Sequence, residues 1–349
     1  MKMKIAQIAP FEESIPPKKY GGTERIVYHL TEGLIKKGHN VTLFATGDSK
    51  TSAKLLPIFP RALRSIKIGQ DFKAREAYKL IGLAKVIEIL LKENFDIIHN
   101  HLGWRLLPFI KILKTKVVTT LHGPLDIGYQ RFIYQKFPSS YYISISKNQR
   151  QPLPKLNFVG NVYNGIDIES FPFKEKSGNY LAFLGRMSPE KGPLEAIKIA
   201  KKTKMKLIMA AKIDLVDKEY FSKEIEPLID NRMIKFIGEV GHKKKVQLLQ
   251  NAKALLAPIN WREPFGLFLI ESMACGTPVI AFKHGSVPEV IEDKKTGFIV
   301  KNVNDAVESL KKIGQINRRD CRQWVEKNFT SEKMTNGYEE IYDKMLKYK

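Results

Sequence analysis

PINWREPFGLFLIESMACGTPVIA, residues 258–281, holds two carboxylates eight positions apart, Glu263 and Glu271. Pro264-Phe265-Gly266 directly follows the first. Residues 267–275 then read as a mostly apolar helix. Gly276-Thr277-Pro278 stops that helix, and Val279-Ile280-Ala281 reads as a short buried strand. Glu271 is out of place. Its helical neighbours four and three positions either side are Leu267, Phe268, Ala274 and Cys275, all apolar. A carboxylate in such a setting is costly or paired with something, and a ligand hydroxyl is the partner expected here.

The same alternation runs outward in both directions. Upstream, residues 3–10, 41–46, 95–99, 116–121, 141–146 and 158–163 read as strands. Helical patterns fall around Ile26, Val27, Leu30 and Leu34, and over residues 77–91, 106–113 and 132–137. Thr23 is the expected cap of the first helix. A Lys/Glu/Ser/Gly-rich segment, residues 174–178, reads as a linker. After it the pattern restarts, with strands at 180–184, 206–210, 234–237 and 254–257 and helices at 194–203, 219–229, 243–251 and 304–313. Strand alternating with helix means parallel, doubly wound α/β sheets, here two in succession. The expected domains are residues 1–175 and 176–331. A last helix, 332–349, carries Met334, Tyr338, Ile341, Tyr342, Met345 and Leu346 on one face, a stripe that must pack on something.

Composition narrows the function classes. The chain has 349 residues, enough for two cores. Its two cysteines, Cys275 and Cys321, argue against a disulfide framework and for a reducing, cytoplasmic setting. The N-terminal apolar run is too short for a signal peptide, and no run approaches the ~20 residues of a membrane span. The net charge of +23 is spread evenly: residues 1–175 carry 27 basic and 14 acidic side chains, the remainder 32 and 22. With no basic tail and no nucleic-acid-binding module, nucleic acid is not the expected partner. A solvated lysine-rich surface and a basic face for the inner side of a membrane both stay open.

In open parallel sheets ligands bind beyond the carboxyl ends of the strands. Gly21-Gly22-Thr23-Glu24 stands there before the first helix. It is either a plain turn or a place where backbone N–H groups approach an anion. It fits neither the dinucleotide fingerprint nor the P-loop. The segment LGRMSPEKGP, residues 184–193, follows the first strand of the second domain. Its Arg186 and Lys191 are either two solvated cations or a cradle for a pyrophosphate at a helix N-terminus. His99, His101 and His122 lie at strand ends. No carboxylate or cysteine joins them at ligand spacing, so no metal is expected. No GxSxG elbow marks a hydrolase.

Together these segments resemble the retaining glycosyltransferases of family 4, with the GT-B fold: two Rossmann-like doubly wound domains facing each other across a cleft. The resemblance covers nearly the whole chain. It runs through Gly21 to Glu24, Asp96 to His101, Thr120-Leu121-His122-Gly123, Asn164-Gly165-Ile166-Asp167, Gly185 to Gly192, Phe236 to Val240 and the E-x7-E pair Glu263 and Glu271. It implies a hexosyltransferase that needs no cofactor or metal and moves a hexose from a nucleotide-diphosphate sugar, GDP-mannose or UDP-glucose, to an acceptor hydroxyl. Arg186 and Lys191 would hold the diphosphate and Glu271 the ribose. Glu263 with the backbone of Phe265-Gly266-Leu267 would hold the sugar. Val240 would meet the base, Gly21 and Gly22 the phosphate, and His122 the C6 side of the sugar. Glu24, His99 and His101 would lie toward the acceptor, a sugar, polysaccharide or lipid-linked molecule. The last helix would cross back to the N-terminal domain. Same-face substitution is the expected chemistry. A sugar-nucleotide epimerase of the GT-B type and a basic nucleic-acid-binding protein are the rival readings.

Overall fold

Apolar runs bounded by turn residues become parallel strands in the computed structural model, which describes residues 2–19, 21–66 and 71–347. The first unit comprises Met1–Gly165 with Ser331–Lys349, and the second Ile166–Thr330. The first unit begins with β1 (Lys4–Ile8), α1 (Gly22–Lys36), β2 (Asn40–Thr46), β3 (Lys54–Phe59) and α2 (Phe72–Lys92). It continues through β4 (Ile97–Asn100), β5 (Val117–Leu121), α3 (Gly128–Lys136), β6 (Tyr141–Ser144) and β7 (Phe158–Asn161). Its sheet order is β3-β2-β1-β4-β5-β6-β7, every pair parallel. All residues of β4 and β5 are buried, as expected of strands covered on both faces.

The second unit runs β8 (Tyr180–Arg186), α4 (Pro193–Thr203), β9 (Leu207–Lys212), α5 (Lys218–Tyr220), β10 (Ile234–Phe236), α6 (His242–Gln250) and β11 (Ala252–Ala257). Then come α7 (Leu267–Ala274), β12 (Val279–Phe282), α8 (Val287–Val290), β13 (Gly297–Val300), α9 (Val303–Lys311) and α10 (Arg318–Asn328). Its order is β10-β9-β8-β11-β12-β13, again all parallel. The order reverses between β1 and β4 in one sheet and between β8 and β11 in the other. In open α/β sheets such switch points are where ligands sit.

The final helix, α11 (Ser331–Lys347), belongs to the first unit. Met334, Tyr338, Ile341, Tyr342 and Met345 are all buried. Burying side chains of this size contributes about 1.5–3 kcal/mol each. The helix is further pinned by Lys116 Nζ, which donates to the Met345 carbonyl at 2.6 Å, and by a 2.9 Å contact between His39 Nε2 and Glu339.

Several local expectations change. The first helix starts at Gly22 with Gly21 as its cap residue, so Thr23 is already inside it. Residues 103–112 form a 3-10 helix with Pro108 inside the run. Residues 218–228 break into a short α turn, a π turn and a 3-10 turn, the last containing Pro227. Strand β3 is not signalled by the sequence pattern because Pro57 interrupts it. The proline is tolerated because β3 is an edge strand. Helix α10 is likewise unsignalled, although Asn317 caps it by accepting from Arg319 N–H. The last two residues of the expected 332–349 helix lie outside the described residues.

Residues 174–178 are not a free linker. Lys174 N–H donates to the Cys275 carbonyl at 3.2 Å, and the Lys174 carbonyl accepts from Arg318 Nε at 2.8 Å. The division falls ten residues earlier than 175. There Ile166 N–H donates to the Phe329 carbonyl at 2.9 Å.

Candidate functional site

The two loops at the switch point of the second sheet are stitched together through their backbones. One follows β8, residues 187–192; the other follows β11, residues 258–266. Asn260 N–H donates to the Glu190 carbonyl at 2.8 Å. Gly192 has φ 71°, and a Cβ built on it would lie 2.0 Å from the Pro258 carbonyl oxygen. Only glycine allows that approach in that conformation. A third loop, after β12, clamps the β11 loop from behind. Gly285, with φ 58°, leaves room for the Glu263 backbone. Ser286 N–H donates to the Glu263 carbonyl at 2.9 Å, and Ser286 Oγ donates to the Phe265 carbonyl at 2.8 Å.

On this frame stand three charged groups. Lys191 Nζ is paired with the Glu263 carboxylate, which also accepts from Trp261 Nε1 at 3.0 Å. The ammonium lies 4.9 Å from the Trp261 ring centroid and 5.4 Å from that of Phe268. Arg186, last residue of β8, is paired with Glu190. Its Nε lies 3.1 Å from Asp217, and Nη1 is 3.9 Å from Asp214. Burial pushes the Asp217 carboxyl up, and the Arg186 charge pulls it part of the way back. Glu271, in the second turn of α7 and buried, is paired with Lys245 of α6. Its carboxylate is therefore not left unpaired inside the fold. The partner within the fold is an ammonium, which offsets the cost of burying the carboxylate.

The remaining donor residues expected from the sequence fall on the same unit. The Phe265 ring is core, 5.7 Å from that of Phe329, and the residue is buried. Gly266, φ 83°, caps α7, and Leu267 opens that helix. Val240 is half-buried between β10 and α6.

In the first unit, Gly21 precedes α1 and Gly22 is its first, exposed residue. Glu24 is buried, and burial raises its carboxyl to about 7. His99 and His101 are interior residues, which corrects their placement toward an acceptor. His99 contacts Tyr342 OH at 2.5 Å through Nδ1 and Thr120 Oγ1 at 2.7 Å through Nε2. His101 contacts His122 at 2.8 Å and Gln7 at 2.7 Å. Both rings have spent their two nitrogens inside the fold. His122, at the end of β5, is half-buried. Burial lowers all three imidazoles, His122 to about 3.

Sequence reasoning alone misses Lys245, Trp261, Glu190, Asp214 and Asp217. Lys245 lies in the run His242-Lys243-Lys244-Lys245, where nothing local separates a lysine paired inside the fold from solvated ones. The two aspartates follow β9, and the strand-end rule could have found them. Among the described residues no group of three or more His, Cys, Asp or Glu is placed to hold a metal ion, and no helix is long and apolar enough to cross a membrane.

Comparison with known proteins gives matches along almost the whole chain. A family model described as Glycosyltransferase Family 4 matches residues 20–170, and one described as Glycosyl transferases group 1 matches residues 166–329. The chain is 26% identical to N-acetyl-alpha-D-glucosaminyl L-malate synthase of Bacillus anthracis, over 94% of this chain and 95% of that protein. It is 24% identical to phosphatidyl-myo-inositol mannosyltransferase of Mycobacterium tuberculosis, over 85% of this chain and 82% of that protein. Among solved structures, Anabaena HepE in complex with UDP-glucose superposes with a TM-score of 0.72 at 18% identity, over 99% of this chain and 100% of that one.

Proposed function

Because the chain belongs to the family 4 type of GT-B glycosyltransferases, we propose that it transfers a hexose, with retention of configuration and without a metal, from a nucleotide-diphosphate sugar to an acceptor hydroxyl. The observation that carries this reading is the Lys191–Glu263 pair, held on the two backbone-stitched loops at the sheet's switch point, with Arg186 ending the strand that leads into the first of them. Arg186 and Lys191 are the cations for a diphosphate. Its oxygens exchange with the carboxylates of Glu190 and Asp217 at the guanidinium. Glu271 takes the ribose hydroxyls, Glu263 and the backbone of Phe265-Gly266-Leu267 the sugar, and the Val240 main chain the base. Gly21, Gly22 and His122 are assigned to the donor by the resemblance alone.

In the reaction the bond from the anomeric carbon to the diphosphate oxygen breaks, and the electron pair leaves with the diphosphate. The acceptor oxygen forms its bond on the same face. The acceptor proton passes to a departing phosphate oxygen. Arg186 and Lys191 stabilise the growing negative charge, the kind of electrostatic assistance whose removal costs ~3–4 kcal/mol of barrier. Glu263 is already engaged by Lys191 and Trp261. That favours an electrostatic role for it over attack on the anomeric carbon.

GDP-mannose and UDP-glucose are the donors to test first. The HepE complex holds UDP-glucose, and the mycobacterial relative is named a mannosyltransferase. That relative's phosphatidylinositol acceptor also points to a lipid-linked acceptor here. On α2, Leu80, Ile81 and Leu91 are 62%, 62% and 51% exposed, on the same helix as Lys85 and Lys92. Such a face suits contact with an anionic membrane.

The test is a thermal-shift screen of GDP-, UDP- and ADP-sugars on the wild type, Lys191→Ala and Glu271→Ala. A donor at 100 times its Kd stabilises by about 2.7 kcal/mol. The matching shift is absent in the variants. The anomeric configuration of the product, read by NMR, then decides retention. If no nucleotide sugar moves the melt, or the variants respond like the wild type, the assignment falls.

A further inference from the structure

A single line of hydrogen bonds runs through the first unit from the end of β5 to α11. His122 Nε2 meets His101 Nδ1 at 2.8 Å, and His101 Nε2 meets Gln7 Oε1 at 2.7 Å. Gln7 Nε2 donates to Tyr342 OH at 3.3 Å. Tyr342 OH meets His99 Nδ1 at 2.5 Å, His99 Nε2 meets Thr120 Oγ1 at 2.7 Å, and Thr120 Oγ1 donates to Tyr338 OH at 3.3 Å. Gln7, His99, His101, Thr120, Tyr338 and Tyr342 are all buried, none more than 3% exposed. Only the outer link, to the half-buried His122, comes near the surface.

The direction of this line is fixed by one group. A carboxamide nitrogen only donates and its oxygen only accepts. Gln7 spends its nitrogen on Tyr342, so its oxygen receives a proton from His101 Nε2. A neutral imidazole has one donor and one acceptor. His101 Nδ1 is then bare, and the proton between His101 and His122 sits on His122 Nε2. The rest follows the same sense: Tyr342 donates to His99 Nδ1, and His99 Nε2 donates to Thr120. Burial favours neutral imidazoles throughout, as the line requires. Reversing it means turning the Gln7 amide over and every link with it.

We infer that Gln7, His101 and the α11 hydroxyl of Tyr342 are positioning residues for His122, holding it in the Nε2–H tautomer so that its Nδ1 presents a lone pair. A ligand met by that nitrogen has to bring a hydrogen-bond donor. The nature of the ligand rests on the glycosyl-transfer reading. There, a sugar hydroxyl satisfies Nδ1, while the carboxylate of a uronic acid, which only accepts, does not. The tautomer itself is independent of that reading.

The experiment is long-range 1H–15N correlation of the full chain labelled with 15N-histidine. The His122 signals are assigned by their loss in His122→Gln. The wild type shows a protonated Nε2 and a bare Nδ1. Tyr342→Phe and Gln7→Met, each checked for a cooperative melt, show averaged shifts as the two tautomers mix. A wild-type His122 protonated on Nδ1 or already averaged overturns the inference. So does either folded variant that keeps the pure tautomer. If neither variant folds, the wild-type spectrum alone decides. No ligand or turnover enters the measurement, so the tautomer is settled whether or not the protein proves to be a transferase.

Discussion

Lys191 and Glu263 form an ion pair between the loop after β8 and the loop after β11, both side chains largely withdrawn from solvent. The pair ties the cation expected at the diphosphate to the carboxylate expected at the sugar. Removing one partner of a buried pair strands the other charge and costs about 3–5 kcal/mol. Lys191→Met and Glu263→Gln are each expected to fall in that range in urea melts. The double variant should recover much of the loss. Transfer should drop about 100- to 1,000-fold in Lys191→Met and stay lost in the double variant. Additive destabilisation in the double-mutant cycle would show that the two side chains are not coupled.

Lys245 does for Glu271 what Lys191 does for Glu263, but away from the diphosphate cations. If Glu271 holds the ribose, the contact is the same in ground and transition states. Losing its positioning then raises KM with little change in kcat. Lys245→Met is expected to raise the donor KM about tenfold, a loss of roughly 1.4 kcal/mol. Steady-state kinetics check this. A variant that loses kcat at unchanged KM would place Lys245 at the reacting centre.

Much of this fold is written in periodicity. Strands such as Val117-Val118-Thr119-Thr120-Leu121 and Val279-Ile280-Ala281-Phe282 are apolar enough to be buried on both faces, and their alternation with helices leaves little besides parallel sheets. Less legible are places where local propensity and tertiary context disagree: β3 with its edge proline, the 3-10 helix around Pro108, and α10 with its polar composition. For the site, the sequence singles out Arg186, Lys191, Glu263 and Glu271 but not their partners. Each partner is a lysine, tryptophan or carboxylate whose role depends on a contact across the fold. Lys245 reaches 26 positions along the chain and Lys191 reaches 72, and no local pattern marks either.

Glu24 makes stability depend on pH. Its carboxyl titrates near 7 in the fold against 4.5 when exposed, because burial disfavours the charge. Between those values the unfolded chain has given up its proton and the folded chain has not. Stability therefore falls as pH rises from about 4.5 to 7 and then levels, by about 3 kcal/mol in all at 1.36 kcal/mol per pH unit. Glu24→Gln removes that slope. Its stability relative to the wild type should be unchanged near pH 4 and rise through the window to a plateau above pH 7. Denaturant melts at several pH values read this directly. A constant difference across the range would mean that Glu24 is charged in the fold.

Gly192, in the loop after β8, and Gly185, near the end of β8 itself, make a controlled comparison. At Gly192, φ is 71° and an added Cβ would lie 2.0 Å from the Pro258 carbonyl oxygen. Alanine there carries the left-handed cost of about 1–2 kcal/mol and must also push the β11 loop away. At Gly185 the nearest atoms to an added Cβ are 3.9 Å distant, ordinary contact. Gly185→Ala should therefore melt within about 1 kcal/mol of the wild type, and Gly192→Ala well below it. Displacing the β11 loop also moves Glu263 relative to Lys191. The fluorescence of Trp261, whose Nε1 donates to Glu263, should shift in Gly192→Ala and not in Gly185→Ala. Equal melts for the two variants would mean that the approach of Gly192 to Pro258 does not hold the two loops together.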